Sequence, residues 1–93
     1  MAHDVQLTWV ASTDVVDGYW VYRGTAGAGS EGATPINSAL VTGVTYTDTG
    51  VSEGETLDYY VTASKSGVQS LHSNEVSVQI LPAPPTGLTA TAV

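Results

Sequence analysis

The sequence predicts an all-β protein: a two-sheet antiparallel β-sandwich of about seven strands with no substantial helix. Three observations predict it. Apolar residues recur with period two along most of the chain, no window sustains helical spacing over about ten residues, and turn signals rich in Gly, Pro, Ser and Asp separate the runs roughly every 8–12 residues. The 93 residues fit one small domain.

Val5, Leu7 and Trp9 alternate with Asp4, Gln6 and Thr8, which predicts a half-buried strand ending at the polar run Ser12-Thr13-Asp14. Tyr19, Val21 and Arg23 share one face of the next strand, and Trp20 and Tyr22 the other. The stretch from Gly24 to Gly32 reads as a loop. Ile36 to Val41 reads as a short edge strand entered through Pro35. Val44, Tyr46 and Asp48 continue the alternation to Gly50, and Val51-Ser52-Glu53-Gly54 turns the chain. In the most regular strand Leu57, Tyr59, Val61 and Ala63 face inward, and Asp58, Tyr60 and Thr62 outward. Ser66-Gly67 makes the next turn, after which Val76, Val78 and Ile80 alternate with Glu75, Ser77 and Gln79. The predicted core is therefore Val5, Leu7, Trp9, Tyr19, Val21, Leu57, Tyr59 and Val61.

Residues 1–81 form the body of this reading, and residues 82–93 stand apart from it. Leu81-Pro82-Ala83-Pro84-Pro85 is stiff and cannot lie in a central strand, because its prolines lack N–H donors. Leu88 to Val93 alternates again, with Leu88, Ala90 and Ala92 on one face.

Nine acidic residues against two cations, Arg23 and Lys65, leave a net charge of −7. That charge repels phosphate and anionic membrane surfaces, so neither nucleic acid nor lipid is an expected partner. With no cysteine there is no disulfide framework and no Cys-based metal site, and packing alone must supply stability. No run reaches the length of a transmembrane helix, and the first residues lack the basic-then-apolar pattern of a signal peptide. Met1-Ala2 reads as a translation start placed on a fragment, so this says little about the setting of the parent protein.

Leu7-Thr8-Trp9, the run Gly18 to Arg23, the corner Val51 to Leu57, then Tyr59, Val61 and Ala63, and finally Ser73 to Val78 follow one another in a familiar order. Order and gaps resemble strands B and C, the E–F corner, and strands F and G of a bacterial fibronectin type III domain, an immunoglobulin-like fold. The resemblance covers essentially the whole chain and departs from the family twice. The family's corner tyrosine falls on Leu57, so apolar packing is expected to hold that corner. Pro84 to Ala92 resembles the family's first strand, A, yet it stands at the carboxyl end while the amino end opens directly with strand B.

A missing A strand leaves strand B with an unpaired edge and a gap over Trp9, which is an aggregation template unless filled. Three arrangements meet this pattern. The tail folds into its own domain's A position as a circular permutant, inserts into a neighbouring copy, or hangs free. The stiff hinge favours insertion, with Leu88, Ala90 and Ala92 as the donor face. The resemblance implies a non-catalytic extracellular or cell-surface spacer or self-assembling subunit, whose partners are other copies of itself or adjacent repeats. Because this family often accompanies carbohydrate-active enzymes, a glycan-associated accessory module is the alternative. Trp20, Tyr22 and Tyr60 would then form an exposed aromatic contact face.

No constellation suggests catalysis, and no cofactor is expected. No nucleophile elbow surrounds any serine, and the glycines between Gly24 and Gly32 precede neither a lysine nor a helix. His3 and His72 would make a metal site only if one end of the sandwich brought them together. The pairs Asp14 with Asp17 and Glu53 with Glu55 read as solvated turn residues rather than calcium ligands. Arg23-Gly24-Thr25 falls short of an Arg-Gly-Asp adhesion tripeptide.

Overall fold

The computed structural model describes residues 3–25, 29–32 and 34–92. Val93 and the middle of the predicted Gly24–Gly32 loop lie outside the described residues. Six strands are present: β1 (His3–Thr8), β2 (Gly18–Gly24), β3 (Thr45–Val51), β4 (Thr56–Lys65), β5 (Val68–Gln69) and β6 (Val76–Gln79). β1 pairs antiparallel with β3 in one sheet. In the other, β4 pairs antiparallel with β2 along one edge and with β5 and then β6 along the opposite edge. The described residues contain no helix, and the chain is an all-β sandwich.

The apolar faces of the two sheets meet in a core of Val5, Val21, Val51, Leu57, Tyr59 and Ile80, against which Leu7, Trp9 and Val61 pack half-buried. Tyr19 is buried and meets Trp9 edge to face, with ring centroids 5.5 Å apart. All eight residues expected in the core therefore face it. Period-two alternation places them there, since successive side chains of a strand point to opposite faces.

β4 turns into β5 through Ser66 and Gly67, whose φ values of 50° and 81° are both positive. A two-residue turn of this kind matches the twist of the strands and calls for glycine at its second position. Asp17 Oδ2 accepts the Ser66 N–H at 2.8 Å and fixes the turn to the entry of β2.

Two expectations need correction. Ile36 to Val41 makes no strand; a single bridge joins Val41 to Tyr19. Asn37 is the reason. Its buried amide accepts the Val21 N–H at 2.8 Å and donates to Tyr19 O at 3.1 Å, so a side chain occupies positions that a backbone ladder along β2 would use.

The corner before β4 is not held by apolar packing alone. Leu57 is buried there, but Glu55 Oε1 also accepts the Ser52 N–H at 2.7 Å, while past the end of β6 Ile80 O accepts the Gly54 N–H and the Ile80 N–H donates to Glu55 O, each at 2.8 Å. Leu88 to Ala92 forms no strand with the rest of the described chain, an arrangement that leaves pairing with a neighbouring copy open.

The core also contains a charge. Arg23 Nη1 reaches across from β2 and donates to both oxygens of Asp48 on β3, at 3.0 and 2.9 Å. Tyr59 of β4 donates its hydroxyl to Asp48 Oδ2 at 2.6 Å. Asp48 is buried, whereas about a third of the Arg23 side chain is exposed (32%). The hydrogen bonds it donates to Asp48 hold Arg23 protonated above its ordinary range against some desolvation. Burial, then Asp48, pushes the Tyr59 hydroxyl well above its ordinary value, so it stays a donor. One carboxylate thus ties three strands and both sheets together with charge-assisted bonds.

Removing it would leave a guanidinium and a phenol facing the core without an acceptor. Breaking a fully buried pair costs about 3–5 kcal/mol; with Arg23 partly solvated, Asp48→Ala is expected to lose roughly 2–4 kcal/mol in urea unfolding. Tyr59→Phe is expected to lose only about 1–2 kcal/mol, one neutral donor to a charged acceptor.

Candidate functional site

β1 is bonded along one edge only. Its register with β3 runs from His3 opposite Val51 to Thr8 opposite Thr45, with a bulge between His3 and Val5. Among the described residues nothing pairs with its other edge. β6 likewise pairs only with β4. Between these two unpaired edges the sandwich is open.

A groove follows this opening in three parts. At one end, beside the corner, it lies between His3–Gln6 of β1 and Val78–Leu81. Further along, Leu7, Trp9 and Val10 face Tyr59, Val61 and Val76 across it. At the far end it passes Ser12, Leu71 and His72. Seven large apolar residues are exposed among those described; Val10, Leu71, Val76 and Leu81 line this groove, and Leu88 belongs to the tail. Val10 and Leu71 are each 94% exposed, an arrangement a sandwich edge avoids unless something covers it. The indole N–H of Trp9, just past the end of β1, has no hydrogen-bond partner among the described residues.

The tail starts at the corner end of the groove and leaves the body. Every described residue from Leu81 to Ala92 is exposed, Leu88 by 96%, and none from Pro82 onward hydrogen-bonds to another described residue. The radius of gyration is 17.3 Å and the long axis spans 70 Å. A compact chain of this length has a radius near 12 Å, so the tail extends away from the sandwich. Leu88, Ala90 and Ala92 keep the period-two spacing of Val5, Leu7 and Trp9.

The aromatic residues expected as an exposed face are arranged differently. Tyr22 is buried at 5% exposure, because Gln69 crosses the outer face of the sheet and accepts hydrogen bonds from both Tyr22 and Thr62, each at 2.7 Å. Tyr60 is half-buried: His72 stacks on its ring at 4.3 Å, and Tyr22 lies 5.2 Å away on a tilted plane. Trp20 is half-buried beside them on β2. The Tyr60 ring is thus flanked by His72 and Tyr22.

His3 and His72 lie at opposite ends of the groove and do not meet; His3 sits 3.2 Å from Glu53. The acidic pairs are divided among turns, with Asp17 on Ser66, Glu55 on Ser52, and the Asp14 N–H bonded to Ser12 Oγ. Among the described residues no group of three His, Asp or Glu is placed to hold a metal ion. Arg23 is taken inward by Asp48, which removes it from any adhesive surface.

Alternation did not reveal that outward-facing Asp58 is fully buried. Gly24 stands opposite Asp58 across β2 and β4, and residues Ser30 and Glu31 lie directly over Gly24, where any Cβ would collide with them. Ser77 donates its hydroxyl to Asp58 Oδ1, while Oδ2 has no partner among the described residues. Glu31, over the same face, has its carboxyl shut off from solvent and set against Glu75, which also accepts the Gly29 N–H at 2.9 Å. Burial first, and Glu75 second, hold the Glu31 carboxyl above its ordinary range; Glu31 and then Gly29 hold Glu75 below it.

No family model matches the chain, and no curated protein matches it significantly.

The two carboxyls give a pH prediction. Glu31, raised in the folded state, stabilises the fold below its ordinary value of 4.5 and loses that contribution as pH climbs through its folded value. Glu75, lowered, contributes above its ordinary value and loses it in acid. At neutral pH a buried carboxylate then faces a second one. Glu31→Gln supplies an amide donor to Glu75 without a charge. It is expected to raise Tm by a few degrees at pH 7 and to match the parent protein at pH 4, in thermal melts across that range.

Proposed function

We propose that this chain is a non-catalytic structural module of fibronectin type III type, working in an extracellular or cell-surface setting. In this reading it joins a second copy of itself by strand complementation: the tail of one copy lies along the free edge of β1 in another. The observation that carries it is the match between two exposed features of one chain. A groove bordered by unpaired strand edges keeps Val10, Leu71, Val76 and Leu81 exposed, and a detached tail carries Leu88, Ala90 and Ala92 at the spacing of the residues that line β1.

Charge supports the same pairing. From Val76 to Val93 there is no charged side chain, in a protein of net charge −7, so the tail approaches a second acidic body without repulsion of its own. Adding a strand to an exposed sheet edge draws affinity from main-chain bonds and specificity from alternate side chains. The glycan-associated alternative has weaker support, because Tyr22 is buried and His72 covers a face of Tyr60.

Full burial of Leu88 is worth about 2 kcal/mol, or roughly thirtyfold in affinity. The full-length variant Leu88→Asp/Ala90→Asp changes only exposed tail positions. Light scattering coupled to size exclusion is expected to show oligomers for the parent chain and monomers for the variant. The Tm of the parent is expected to rise with protein concentration and that of the variant to stay constant. A parent chain that remains monomeric at high concentration would remove this reading.

A further inference from the structure

The groove and the tail also have directions, and these decide what kind of assembly strand complementation produces. β1 runs from the corner, where His3 approaches Glu53, toward Trp9, Val10 and the far end. β6 runs the opposite way and delivers the chain to the corner, where Ile80 bonds Glu55 and Gly54. The tail therefore leaves from the corner end. A strand that pairs antiparallel with β1, as β3 does, has to enter at the far end and run toward the corner.

The chain's own tail meets that demand poorly. To bring Leu88 beside Trp9 it would have to climb β1, about 20 Å, and then reverse. Residues 81–88 span about 22 Å at the rise of an extended Pro-rich segment, so the climb leaves almost nothing for the reversal. Pairing parallel to its own β1 instead requires a U-turn at the hinge, where Pro82, Pro84 and Pro85 hold an extended backbone. A reciprocal two-fold dimer requires the same U-turn in both copies. In the structure the hinge is extended, and the tail prolongs the long axis to 70 Å.

Resting on the strand-complementation reading, we infer that the second copy is engaged in one direction only. The tail of a donor enters the far end of its acceptor, antiparallel to β1, with Leu88 beside Trp9, Ala90 beside Leu7 and Ala92 beside Val5. The acceptor's own tail leaves from its corner, pointing the same way as the donor's. The contact is heterologous, and copies add head to tail into an open fibre rather than closing as a dimer. Each fibre then has one end with a vacant groove and one with a free tail. The exposed residues Val10 and Leu71, at the mouth where the donor enters, are covered by the donor's hinge and Leu88.

The absence of native cysteines makes the register testable by cross-linking. In this register Gln6 faces Thr91 and Thr8 faces Thr89, and all four are exposed, so cysteine at these positions leaves the core intact. Under mild oxidation Gln6→Cys/Thr91→Cys and Thr8→Cys/Thr89→Cys are expected to give a ladder of multiples of 9.6 kDa on a non-reducing gel. The exchanged pairs, Gln6→Cys/Thr89→Cys and Thr8→Cys/Thr91→Cys, are expected to stay monomeric.

Cross-linking of both exchanged pairs instead would show a parallel tail and overturn the polarity while leaving complementation standing. A single dimer band that does not extend with concentration would replace the fibre with reciprocal exchange. An intramolecular disulfide would mean self-closure. No cross-link from any pair would remove strand complementation itself.

Discussion

The fold depends on one carboxylate. A two-stranded ribbon such as β1–β3 is marginal alone, and the apolar contacts that hold it to the larger sheet are few in a chain of this length. Asp48, on the inner face of β3 opposite Val5, takes Arg23 from β2 and Tyr59 from β4, so each strand pair is fixed to the other at a defined separation. Such a cluster contributes little net energy beyond a well-packed apolar equivalent. Its bond lengths set how far apart the sheets stand near the middle of the sandwich. The width of the groove beside β1 follows from that separation, because its walls are β1 on one sheet and β4 with β6 on the other.

The outer face of the larger sheet is closed by a different device. Gln69 takes the hydroxyls of Tyr22 and Thr62, His72 stacks on Tyr60, and residues 29–32 lie over Gly24 and Asp58. A strand face that alternation marks as solvent-facing thus becomes a second, thinner buried layer. Because its polar groups are bonded mainly to one another and its rings are stacked, it presents little flat apolar surface. Much of the exposed apolar surface of the body instead borders the opening beside β1, at Val10, Leu71, Val76 and Leu81, with Val15 and Val68 forming a separate patch.

Much of this was legible from residue order. Strict alternation identified five of the six strands and every residue of the expected core, since burial on one face of a strand imposes period two directly. Long-range side-chain partners were not legible. Alternation put Arg23 on the inner face with Tyr19 and Val21, but only the fold shows that Asp48, 25 residues away, neutralises it there. Tyr22 is buried by Gln69, 47 residues on, and the Ile36–Val41 edge is irregular because Asn37 bonds β2 through its side chain. None of these contacts leaves a periodic trace. The groove was legible in outline, because a strand with the pattern of Val5, Leu7 and Trp9 needs cover along its free edge.

The composition of the tail fits the groove it would enter. Tyr59, Val61 and Val5 already occupy the space between the sheets, so a strand laid along β1 meets a nearly filled floor. Alanine at positions 90 and 92 suits such a floor, since larger side chains would force the sheets apart against the fixed bonds of Asp48. Leucine is tolerated at 88, where the groove opens past Trp9 toward Leu71. In the proposed assembly, strength would come from backbone bonds along the whole length of β1 and from one anchoring side chain at the mouth. An interface built this way depends on alignment more than on area: a slip of one residue would turn Leu88 to solvent and set Thr89 and Thr91 against the apolar floor.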